Sequence, residues 1–246
     1  MHQLSKRSAR LVILIISIFL MSGIFIGAQA QGENILRVGI VAPQVLDPAL
    51  GSNDGEVLFN RSLYDYLIDV LPDRSIAPNL ATEWNVSEDG LVYTFALQSG
   101  VTFHDGSDFS SADVVFTFNR LKEIESAALN LLGDFEVSAP DAQTVVFRLA
   151  APNADFLYGV GDRFALILKD GNTSPNQLSE GDAPYANFNG TGPFILTDYK
   201  EGESATLTKN GAYWKAGAPL LDGVEFKFIN DPVTQVNALL SGDVDF

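Results

Sequence analysis

The chain has 246 residues, 15 basic against 31 acidic, and a formal net charge of −16. That acid excess sets it against nucleic-acid backbones and anionic membrane surfaces. Cysteine is absent, which excludes a disulfide framework, a thiolate metal site and a lipid-modified N-terminal cysteine.

Residues 1–10 carry Lys6, Arg7 and Arg10 and no acid, and residues 11–28 are apolar and uncharged. Ala28-Gln29-Ala30 then offers small residues at the two positions an export peptidase reads. Together these predict a cleavable secretory signal peptide over residues 1–30. An uncleaved membrane anchor is the alternative, because 18 apolar residues just span a bilayer. Without residues 1–30 the chain has 12 basic and 31 acidic residues, a net of −19. The remaining 216 residues suffice for one real hydrophobic core or two small lobes.

Residues 36–41 (LRVGIV) predict a buried strand. Leu46-Asp47-Pro48 predicts a turn, since proline keeps the residue before it out of helix. A helix is predicted over 54–68, with Asn53 as its cap and Glu56 completing a capping box. Val57, Tyr64, Leu67 and Ile68 share its apolar face. Trp84–Ser87 and Leu91–Leu97 flank Glu88-Asp89-Gly90 as a hairpin. A short strand at 101–103 and a tight turn at His104-Asp105-Gly106 come next. Ser110, with Asp113 three residues on, caps a helix whose apolar face is Val114, Val115, Phe118 and Leu121.

Further strands are predicted at 143–149, 193–200, 203–209 and 224–229. In the last, Val224, Phe226 and Phe228 alternate with Glu225 and Lys227. Residues 170–190, rich in Gly, Ser, Asn, Asp and Pro, read as a long loop. Asp231-Pro232 opens a final helix with proline at its first position, and Gly242 closes it. The residues up to Phe246 read as the start of a strand, so a truncated chain is expected.

Catalytic constellations are missing from the sequence. There is no G-x-S-x-G elbow, no H-E-x-x-H and no nucleophile with an evident base. Outside the signal peptide His104 is the only histidine, and it reads as part of a turn. Asn189-Gly190-Thr191-Gly192-Pro193 lacks the lysine and following helix of a phosphate loop. It reads either as a loop re-entering the main sheet or as a loop bordering a cleft. Tyr213-Trp214 reads as core packing rather than ligand stacking. No enzyme, cofactor or metal site is expected.

Four blocks then fall in order. They are WNVSEDGLVYTFALQSGVTFHDGSDFSSADVVFTFNR (Trp84 to Arg120), NGTGPF (Asn189 to Phe194), NGAYWKAGAPLLDGVEFKF (Asn210 to Phe228), and ALLSGDVDF at the end, with Leu46-Asp47-Pro48 ahead of them all. They resemble family 5 of the extracellular solute-binding proteins, the oligopeptide-, dipeptide- and nickel-binding group of ABC importers. The resemblance covers residues 35–246. It implies an α/β fold with a mixed sheet: a periplasmic-binding-protein-like type II lobe carrying an inserted α+β subdomain, with the family's second lobe missing. Residues 31–62 with 185–246 are expected to form the main lobe, and residues 63–184 the insert. The implied protein is an exported, periplasmic or extracellular receptor, monomeric, that closes two lobes on a short peptide or similar small solute and delivers it to a membrane permease. An exported sensor ectodomain or hydrolase is the alternative. The resemblance also places Ser52, Asn53 and Asp54 beside the ligand, where Asn53 also caps the helix, and the cleft reading of the second loop adds Asn189, Gly190 and Thr191.

Overall fold

The computed structural model describes residues 34–179, 181 and 183–246; the predicted signal peptide lies outside the described residues. The first half of the chain forms β1 (Ile35–Ile40), α1 (Asp54–Leu63), β2 (Ile68–Val70), β3 (Ile76–Pro78), β4 (Ala81–Val86), β5 (Val92–Leu97), α2 (Ser111–Glu123) and α3 (Leu129–Leu132). Then follow β6 (Phe135–Asp141), β7 (Thr144–Leu149), α4 (Phe156–Val160), β8 (Phe194–Lys200), β9 (Ser204–Lys209), β10 (Gly223–Phe228) and α5 (Pro232–Ser241). Among the described residues no helix is long and apolar enough to cross a membrane.

Two four-stranded sheets carry the fold. The first has the order β1-β10-β9-β8 and is mixed: β1 runs parallel to β10, while β9 is antiparallel to both of its neighbours. Val38 lies opposite Phe226 and Ile40 opposite Phe228, in the register that turns Val38, Ile40, Val224 and Phe226 into one buried surface. α1 packs on it through Phe59 and Leu63, both fully buried. The Phe59 ring meets Phe188 edge-on at 6.4 Å and Phe226 at 5.9 Å. Cutting such a side chain back to alanine costs about 3–5 kcal/mol.

The second sheet, β4-β5-β7-β6, is wholly antiparallel. Alternation along β5 buries Tyr93, Phe95 and Leu97, and α2 covers that face with Val114, Phe118 and Leu121. Phe118 stands 4.8 Å from Phe147, nearly perpendicular, and Phe147 in turn meets Phe156 at 5.3 Å. The two sheets therefore have separate cores, one under α1 and one under α2.

Several expectations shift. α1 ends at Leu63, five residues before the predicted stop, because Tyr64 turns extended (φ −129°, ψ 156°). Tyr66 then bridges Leu166, and Ile68–Val70 pairs with Ile76–Pro78. Pairing with distant chain outcompetes the helical spacing of Leu67 and Ile68. The segment 101–103 is no named strand; a lone bridge from Thr102 to Asp108 closes the turn at Gly106, whose φ is +81°. Residues 244–246 run beside β1, donating from the Asp245 N–H to Arg37 O (2.8 Å) and accepting at Phe246 O from Gly39 N–H (2.8 Å).

Candidate functional site

The segment after β1 folds back on the start of α1, and Glu56 organises it. Asn53 caps the helix, its side chain accepting from Glu56 N–H at 2.9 Å. Glu56 answers with more than a capping box requires. Its Oε2 accepts from the N–H groups of Ser52 (2.8 Å) and Asn53 (3.1 Å). Its Oε1 accepts from those of Gln44 (3.0 Å) and Val45 (2.9 Å). Burial pushes the Glu56 carboxyl up, and the four donors outweigh that and hold it below its usual value.

Two further ties fix the same loop. Arg120 of α2 makes a two-pronged contact with Asp47, Nη1 donating to Oδ1 at 3.2 Å and Nη2 to Oδ2. Asn176, almost fully buried, donates to Leu46 O and to Asn60 Oδ1, both at 2.7 Å, and accepts from the Tyr64 hydroxyl. Its φ of +57° is a left-handed conformation that asparagine tolerates.

Open clefts lie on both sides of this loop. One, of about 460 Å³, is lined by Pro43–Asp47, Pro175–Leu178, Tyr199 and Glu201. The other, of about 450 Å³, is mainly apolar and lined by Val38–Val41, Asn53–Gly55, Leu58, Gln235 and Phe246. Beside the second, the α5 residues Val233, Val236, Leu239 and Leu240 are exposed. Among the described residues no cluster of three or more His, Cys, Asp or Glu side chains has metal-binding geometry.

The six predicted site residues fall into two groups at opposite ends of α1. Ser52, Asn53 and Asp54 are exposed at its N-terminus, where Asn53 and Asp54 line the apolar cleft. Asn189, Gly190 and Thr191 are buried at its C-terminus. Ten helical residues put about 15 Å between the groups. The buried group makes hydrogen bonds within the fold, and Asn189 also lines a third cleft, of about 450 Å³, with Asp105, Lys169 and Asn187. Asn189 Oδ1 accepts from Asp105 N–H at 3.2 Å, and Gly190 exchanges bonds with His104. Thr191 is fully buried and donates to Asp65 at 3.1 Å.

Asp65 is a residue that pattern reading missed. It also accepts from the Tyr213 hydroxyl and from Trp214 Nε1, each at 3.0 Å. Burial raises its carboxyl above the usual range, against the pull of Trp214, Lys215, Tyr213 and Thr191. The aromatic pair thus anchors a buried acid. His104 is likewise structural: its Nε2 lies 3.1 Å from Gly192 O, and burial holds its imidazole below the ordinary value.

Comparison with known proteins agrees with this architecture. Residues 75–246 match the sequence profile of the bacterial extracellular solute-binding proteins, family 5 middle. The probable D,D-dipeptide-binding periplasmic protein DdpA of Escherichia coli K12 is 28% identical over 253 residues, covering 98% of this chain and 48% of its own. Di/tripeptide-binding protein 2 of Pseudomonas aeruginosa is 32% identical over 238 residues, covering 86% of this chain and 44% of its own. The ABC transporter-associated periplasmic binding protein DppA of Helicobacter pylori, solved with the peptide STSA, superimposes with a TM-score of 0.72 at 30% identity, over 85% of this chain and 45% of that one. The chain spans about half the length of these relatives. It belongs to family 5 of the bacterial extracellular solute-binding proteins.

Proposed function

We propose that this chain supplies one lobe of an exported receptor that captures a short peptide and presents it to the permease of an ABC importer. The observation that carries this reading is the pinned loop after β1, flanked by two open clefts. A peptide offers backbone donors and acceptors, and a loop held rigid before the ligand arrives loses little entropy on binding it. Ser52, Asn53 and Asp54 are ligand-facing candidates, as is Asn189 on the third cleft; Gly190 and Thr191 border the end of α1. Three relatives whose names or complexes involve peptides support the ligand class. Closure of a second lobe over the clefts is the proposed mechanism.

The division into a main lobe (31–62 with 185–246) and an insert (63–184) is part of the same proposal. Two separate cores support it; the exceptions among the buried residues are Leu63, Tyr64, Tyr66, Leu166 and Leu168 of the insert, which pack into the main-lobe core, and Ala49, which packs into the other. The protein is read as non-catalytic, monomeric and free of cofactors. Export rests on the basic, apolar and A-x-A pattern of residues 1–30. Mass spectrometry of the protein from its host's envelope or medium is expected to find an N-terminus at Gln31. Native mass spectrometry of the same sample tests the ligand class. A bound short peptide is expected; a bound metal or sugar without peptide overturns the assignment.

A further inference from the structure

Resting on that reading of the site, we propose that Glu56 is its positioning residue, a single carboxylate that holds both limbs of the 44–53 loop in the geometry the ligand meets. A capping box needs only one bond from the third helical residue back to the cap. Here that bond, Asn53 N–H to Oε2, is one of four. The other limb of the loop has no sheet partner, and Gln44 and Val45 donate their N–H groups to Oε1 instead. A carboxylate has about four lone-pair sites, so this one is filled. Glutamine of the same shape supplies one accepting oxygen, and its amide would set an N–H against two N–H donors.

Glycine at two positions eases this packing. A Cβ on Gly51 would meet Val45 O at 3.0 Å and Glu56 Oε2 at 3.3 Å. A Cβ on Gly55 would meet Val41 O at 2.8 Å. Both limbs lie against Glu56, and each limb lines a different cleft: Gln44 and Val45 the first, Asn53 the second. One side chain therefore sets the spacing between two candidate binding surfaces without reaching the ligand.

Residue-resolved amide exchange, paired with titration of trialanine, tests this. In the wild-type protein the Gln44 and Val45 amides are expected to be protected although they lie outside any sheet; free exchange there overturns the proposal without any variant. In E56Q those two amides should exchange about tenfold faster or more, as expected when bonds to a charged acceptor are lost. The Tyr64 amide, bonded to Asn60 O at the far end of α1, should change little. Loss of protection throughout α1 would mark a purely helix-stabilising role and overturn positioning. N53A is the comparison, loosening the helix start while leaving Gln44 and Val45 protected. Where the wild type binds trialanine, E56Q should weaken binding about tenfold, and unchanged affinity despite a loosened loop overturns the proposal. A wild type that binds no trialanine tells against the peptide reading, and the exchange arm still decides the role of Glu56. If E56Q does not fold, E56D is expected to show the same contrast between Gln44 and Tyr64.

Discussion

Thr191 and Asp65, 126 positions apart in sequence, meet in a 3.1 Å hydrogen bond that ties the Asn189–Pro193 loop to the chain leaving α1. Tyr213 and Trp214 close on the same carboxylate from a third segment. Three donors converge on one buried acid, so removing the acid strands all three. D65A is expected to cost about 3 kcal/mol or more, since each buried unsatisfied group costs about 1–3 kcal/mol. D65N, which keeps one accepting oxygen, should cost less. Urea denaturation of the two variants measures the difference, and equal stability to wild type would show that the hub is not stabilising.

Gly190 and Gly106 make a matched pair. A Cβ on Gly190 would lie 2.0 Å from Leu63 O, a backbone atom that cannot turn aside. G190A is expected to destabilise by about 3 kcal/mol or more, the overpacking extreme. Gly106 faces open space, and its φ of +81° is the only obstacle. G106A should cost about 1–2 kcal/mol. Thermal melts that rank the two the other way would contradict the contact.

His104 should give the fold a one-sided pH dependence. Burial lowers its folded pKa below the unfolded value of 6.5. The unfolded chain therefore takes up the proton first as pH falls, and stability drops below about pH 6.5 while staying flat above it. Asp65, with its raised pKa, works in the opposite sense. The check is accordingly a comparison: between pH 7.5 and 5, the melting temperature of wild type should fall more than that of H104N. Parallel curves would remove His104 as the cause.

Asn53 and Asp54 separate stability from binding. N53A removes a cap accepting from Glu56 N–H and should cost about 1 kcal/mol. D54A removes an exposed carboxylate in the first turn and should cost about 0.5 kcal/mol. If these residues face the ligand, D54A lowers affinity for the peptide found by native mass spectrometry by more than its small stability loss explains. Calorimetry showing unchanged affinity in D54A would withdraw Asp54 from the site.

Much of this architecture was legible from local rules. The capping boxes Asn53/Glu56 and Ser110/Asp113 are both present, and α5 begins at Pro232 and closes at Gly242 with φ +79°. Those signals are local, made by side chains a few positions apart. β2 and β3 have three residues each and pair mainly because of what surrounds them. β6 (FEVSAPD) is mostly exposed; Phe135, Val137 and Ala139 alternate with Glu136 and Ser138, but only Phe135 is buried and Pro140 interrupts the pattern. The site was legible only in part. Glu56 declared its cap, but its bonds to Gln44 and Val45 involve backbone N–H groups that leave no trace in residue type. Asp65 lies between two tyrosines in a run reading LYDYL, and an acid so enclosed by apolar neighbours was the available hint.

The parallel pairing of β1 with β10 sets the order in which this chain can fold. Ile35 finds Gly223, its partner, 188 residues later. Until that stretch is synthesised β1 has no strand to join, and closing so long a loop is slow because its entropy is lost before any contact repays it. The β4-β5-β7-β6 sheet closes within Ala81–Leu149 and has no such wait. A growing chain therefore passes through a stage in which the phenylalanine-rich sheet under α2 is assembled while β1 remains an unpaired apolar strand. In that stage Val38 and Ile40 are the surface for a chaperone to shield.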